Sequence, residues 1–71
     1  MKLDDIIIRT NEMCPPLAGI YKYFAVVQVL YVVDESGRRK VDESFQETYG
    51  QTKEEAEEKM QKKVHDWVKS Q

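Results

Sequence analysis

The chain has 71 residues, with eleven Lys and Arg against thirteen Asp and Glu, a formal net charge of −2, and 41% hydrophobic residues. A chain this short forms a single domain over residues 1–71 with a small core, because it buries only about 60% of the surface its unfolded form exposes. Room for a cofactor-filled cleft is scarce, and the apolar run Phe24-Ala25-Val26-Val27 falls far short of the roughly 20 residues of a membrane-spanning helix.

One Cys and one His exclude an internal disulfide and the usual zinc site. The near-even charge argues against a general affinity for phosphate backbones or membrane surfaces. Met1–Asp5 lacks a basic segment followed by a long apolar stretch, so no secretory leader is expected. A lone cysteine suits a reducing compartment, and the expected location is cytoplasmic.

Ile6-Ile7-Ile8 are beta-branched and favour an extended backbone, which predicts a strand from about Asp5 to Thr10. Asn11 to Gly19 contains Cys14-Pro15-Pro16 and reads as a loop, since proline cannot donate to a ladder. Ile20 to Val33 is the longest strand candidate. In a regular strand Phe24, Val26, Leu30 and Val32 share one face, while Tyr23, Val27, Val29 and Tyr31 share the other. Both sets are apolar, as expected of a strand covered on both sides.

Asp34-Glu35-Ser36-Gly37 signals a turn, and Arg38 to Tyr49 returns as a polar edge strand after a loop of four or five residues. Thr52-Lys53-Glu54-Glu55 forms a capping box, in which Thr52 accepts from the Glu55 amide and Glu55 reaches back to the Thr52 amide. Glu55 with Lys59 and Glu58 with Lys62 are i,i+4 pairs. Ala56, Met60, Val64, Trp67 and Val68 fall on one stripe of a helix that starts near Lys53 and runs almost to the end of the chain. The predicted fold is α+β: a three-stranded antiparallel sheet (β-β-β-α) with one C-terminal amphipathic helix packed on one face.

One helix covers one sheet face, yet the long strand offers apolar side chains to both. A monomer rarely leaves a large apolar patch unused, so the second face is expected to be buried in a homodimer or against a protein partner. The candidate interface residues are Phe24, Val26, Leu30 and Val32, or Tyr23, Val27, Val29 and Tyr31 on the other parity. The alternative is that the Asn11–Gly19 loop folds over that face, with Met13 and Leu17 as plugs.

Chemistry is poorly represented. His65 lies about 180° from Ala56 around the helix, with no partner spaced to make it a base, and nothing near Cys14 activates a thiol, which is expected to be inert or buried. Asp34, Glu35, Asp42, Glu43 and Glu47 lack the alternation of a calcium loop, and no Gly-rich phosphate loop exists. The expectation is a non-enzymatic module without metal or cofactor. The alternative is a nucleic-acid-binding accessory domain using Lys22, Arg38, Arg39 and Lys40 on the sheet.

Tyr49-Gly50-Gln51-Thr52-Lys53-Glu54-Glu55-Ala56 resembles two helix starts. One is that of the HicB-like antitoxin domain, where a three-stranded sheet leads through a Gly-x-Thr-x-Glu-Glu-Ala segment into a helix. The other is that of the arm-type DNA-binding domain of phage integrases, again three strands and then a Thr-Lys-Glu-Ala helix. The resemblance implies the same sheet-then-helix topology and a small bacterial or phage accessory protein.

Overall fold

Beta-branched and aromatic residues dominate the first half of the chain, and they form a long antiparallel hairpin. The computed structural model describes all of residues 1–71. β1 spans Lys2–Leu17, β2 Tyr21–Asp34, β3 Gly37–Lys40 and β4 Thr48–Gly50, followed by α1 at Lys53–Lys69. β2 is central: β1 pairs along one side, and β3 and β4 both pair with the other. The fold is α+β, an antiparallel sheet with one C-terminal helix packed against it.

Asn11–Gly19 differs from the expected loop. β1 stays paired with β2 out to Leu17, opposite Tyr21, and the chain reverses at Ala18 and Gly19, both with positive φ. Four β1 residues, Met13 to Pro16, stand where β2 has only Lys22, so the prolines are accommodated in a bulge rather than in the ladder. Because this segment continues the hairpin, it does not fold across the sheet. Leu17 and Ile20 remain 43% and 49% exposed.

The β2–β3 turn is tighter than expected. Asp34 pairs with Gly37 around Glu35-Ser36 alone. The Asp34 carboxylate accepts the Ser36 amide at 2.8 Å, and Gly37 has a φ of 107°, a region that side chains disfavour.

The return strand is also interrupted. From Tyr31 back to Ala25, β2 advances six residues, while its partners Lys40 and Thr48 are eight apart. The two surplus residues bow the chain out between β3 and β4. Val41 still donates to the Leu30 carbonyl at 2.8 Å, and the Phe45 ring meets Trp67 edge-on at 5.6 Å. Lys63 holds the bow through the Gln46 carbonyl at 3.0 Å.

The core lies between α1 and the sheet. Ala56, Met60, Val64 and Val68 from the helix pack on Ala25, Leu30, Val32 and Val41, flanked by Leu3, Ile6, Ile8, Tyr23 and Val27. Ala25 and Leu30 have opposite parity, yet both face the helix. The register explains this: Ile7 opposes Val29 and Ile8 opposes Val27, so Gln28 is an extra residue in β2. A bulge of one residue moves every later side chain to the other face. Asp4 does the same in β1, allowing Leu3 to join Ile6 and Ile8 on the helix side.

Thr52 caps α1, accepting the Glu55 amide at 3.1 Å. Glu55 reaches the Gln51 amide at 3.2 Å rather than that of Thr52, and also pairs with Lys59 at 3.2 Å. The expected Glu58–Lys62 contact does not close.

Two carboxylates have folded pKa values below their ordinary ones. Asp34 is lowered first by its hydrogen bond from Arg39 and then by the Ser36 amide. Glu55 is lowered first by the Gln51 amide and then by Lys59. A carboxyl whose pKa falls on folding adds stability above its ordinary pKa, and loses it as pH falls through the lower folded value. The midpoint of thermal unfolding is therefore expected to be flat above about pH 5 and to decline below about pH 4. In an Asp34→Asn, Glu55→Gln variant the decline should be shallower. Both groups are partly open to solvent, so added salt should also weaken the effect. A wild-type midpoint that held constant down to about pH 2.5 would contradict it.

Candidate protein-binding surface

The face of the sheet away from α1 has no covering element. Across β1 and β2 it presents the pairs Asn11/Phe24, Arg9/Val26, Ile7/Val29, Asp5/Tyr31 and Lys2/Val33. Phe24, Val26, Val29 and Tyr31 are half-buried by their neighbours, and Ile7 and Val33 are 48% and 39% exposed. Tyr49 extends the face beside Phe24 on β4. Its hydroxyl donates to Glu47 at 2.9 Å, and that carboxylate disfavours the phenolate and raises the Tyr49 pKa.

Arg38 crosses one end of this face. From β3 its guanidinium stacks 4.0 Å from the centre of the Tyr31 ring, and its Nε donates to the Asp4 carboxylate on β1. The hydrogen bond to Asp4 holds the Arg38 pKa above its ordinary value. The uncovered apolar centre is therefore Phe24, Val26, Val29 and Ile7.

The expected parity sets are both corrected. Leu30 and Val32 are 1% and 0% exposed beneath α1, and Tyr23 and Val27 pack against the same core. None of the four is on the bare face. Phe24, Val26 and Tyr31 are on it, joined by Val29, because the Gln28 bulge exchanges the two sets halfway along β2. Ile7 and Val33 complete the surface and belong to neither expected set. The one visible signal in the sequence is a polar residue, Gln28, set between Val27 and Val29.

The basic residues do not assemble. Lys22 lies eleven residues along β2 from Val33, the partner of Arg38, a separation of about 36 Å. Arg39 points to the opposite face from Arg38 and bonds Asp34 at 3.0 Å, so two of the three cations of the triplet are already paired. Lys40, opposite Tyr31, is exposed.

A cavity of about 350 Å3 opens between the bow and β2, lined by Val26, Gln28, Leu30, Val41, Glu43 and Phe45 among others. Its walls supply no nucleophile hydrogen-bonded to a base. His65 is exposed on the outer side of α1. Cys14, expected to be inert or buried, is an exposed free thiol near the hairpin tip. No three His, Cys, Asp or Glu side chains stand close enough together to hold a metal ion. No helix is long and apolar enough to cross a membrane.

Compared with known proteins, the chain matches no family model, no curated protein and no solved structure.

Proposed function

We propose that the chain is a non-enzymatic protein–protein interaction module that works as a homodimer through its sheet. The observation that supports this reading is the bare sheet face, with Ile7, Phe24, Val26 and Val29 at its centre and nothing in the chain to cover them. The molecule measures 45 × 18 × 17 Å. One long side therefore offers about 800 Å2 in projection, which is what each partner supplies to a standard interface. Charges of both signs, Lys2, Asp5 and Arg9, rim the apolar centre, as in a surface built to meet itself or a mixed-charge protein rather than a polyanion. The resemblance of the helix start to those of HicB-like antitoxin and integrase arm-type domains favours a small cytoplasmic accessory protein of bacterial or phage type.

Sedimentation between about 1 and 100 μM, a range that spans micromolar self-association, tests the reading. A dimer of 71-residue chains is the expected species. A monomer throughout that range overturns it.

A further inference from the structure

We infer that a second copy of this chain pairs along the outer edge of β1, antiparallel and centred on Ile7, joining the two sheets into one. The inference rests on reading the chain as a self-associating module and goes beyond its bare face: an axis normal to the sheet leaves both bare faces uncovered on one side, so the β1 edge is a second contact between copies, distinct from that face.

β1 ends the sheet, and only β2 and α1 pack against it. Its outer edge therefore leaves backbone amides and carbonyls without a strand partner. Natural edge strands are usually blunted by bulges, prolines or repelling charges. In β1 such features lie only at the ends: the Asp4 bulge on one side and Met13–Pro16 on the other. Between them Asp5 to Glu12 runs eight residues, about 27 Å, with no insertion of its own, the register shift between Ile7 and Ile8 being taken up by Gln28 in β2.

A symmetric pair of antiparallel strands is related by a two-fold axis normal to the sheet. That axis keeps both helices on the same side, so residues facing the helix pair with residues facing the helix. The registers allowed within this window are centred on a single residue. Centring on Arg9 opposes two guanidinium groups, and centring on Ile8 sets Arg9 against Ile7. Centring on Ile6 places Arg9 beyond the regular run. Centring on Ile7 sets Asp5 of each copy against Arg9 of the other, on the bare face, and Ile6 against Ile8 on the helix side. Arg9 is exposed and has no carboxylate partner within its own chain. Ile6 and Ile8 are only partly buried at the flank of the core, and this register continues that core across the joint. Opposite charges directly across a ladder favour pairing, and like charges oppose it.

Cross-linking reads the register. With Cys14→Ser removing the native thiol, Ile7→Cys places two sulfurs on the axis, at a Cα separation of about 4.5–5.5 Å that suits a disulfide. Asn11→Cys on the same face is the control, with its two copies about 27 Å apart. The expected result is a disulfide dimer from Ile7→Cys and none from Asn11→Cys. Arg9→Asp should raise the dimer dissociation constant about tenfold, since two attractive pairs become repulsive. The exchange Asp5→Arg with Arg9→Asp should restore it to within about threefold. Both positions are exposed, and circular dichroism verifies that each variant is folded. A dimer that withstands Arg9→Asp and forms no disulfide in the Ile7→Cys variant overturns the edge register while the interaction module stands. A monomer at every concentration overturns both.

Discussion

Gly50→Ala is expected to destabilise the fold by about 3 kcal/mol, more than its single added methyl suggests. Gly50 is buried at the corner where β4 turns into α1. A Cβ built there would stand 2.5 Å from the Ala56 amide nitrogen and 2.9 Å from Glu55 Cβ. The nearest obstacle is helix backbone, which cannot rotate away as a side-chain tip would. Accommodating the methyl means lifting the first turn of α1 from β4. That movement strains the Thr48 hydroxyl bond to the Ala56 carbonyl, 2.8 Å, and the Lys59 bond to the Tyr49 carbonyl, also 2.8 Å. For a domain of this size the loss corresponds to a fall of about 15 °C or more in the unfolding midpoint. Melting followed by circular dichroism checks it, and a fall below about 3 °C would show that the corner has slack the geometry does not show.

Leu30→Ala is expected to cost about 3 kcal/mol, against less than about 1 kcal/mol for Val29→Ala at the neighbouring position. Leu30 is 1% exposed among Met60, Val64 and Val32, whereas Val29 lies on the bare face opposite Ile7. A domain of this size rarely has more than about 3–5 kcal/mol in total, so the Leu30 variant should be largely unfolded at about 37 °C. Urea titration of both variants makes the comparison. The pair also tests the Gln28 bulge directly. If β2 ran without it, Leu30 and Ala25 would face opposite sides, and Val29→Ala would be the costly change.

The helix was legible from residues 52–69 because its signals are local. A capping threonine, acidic first turns and an apolar stripe of period 3.6 all depend on near neighbours in sequence. The observed helix, Lys53–Lys69 with Thr52 as cap, follows them. β2 was legible for the same reason, since fourteen residues rich in Val and Tyr have few other places to go. The Asn11–Gly19 segment misled because its prolines do forbid ladder bonds. They do not forbid a bulge that lets the flanking residues stay paired, and that is what Leu17 opposite Tyr21 shows. Arg38 to Tyr49 misled in the opposite way: its alternation is strand-like, but it has two residues more than β2 can match.

The candidate surface was half legible. That β2 has more apolar surface than one helix can cover follows from composition and geometry alone. Which side chains form the bare face does not. A strand's period of two assigns faces only as long as no residue is inserted, and a single insertion at Gln28 exchanges them. The sequence around Gln28 permits a regular strand equally well. The bulge settles there because Ala25 and Leu30 can then both pack under Ala56, Met60 and Val64, while Ile6 and Ile8 of β1 do the same alongside. Local preferences therefore decided that this chain makes a hairpin, a capped amphipathic helix and one surplus apolar face. Only the packing of the helix on both strands at once decided that Leu30 and Val32 are core and that Phe24, Val26, Val29 and Ile7 are surface, because burial on a sheet is a property of register, and register is set between strands rather than within one.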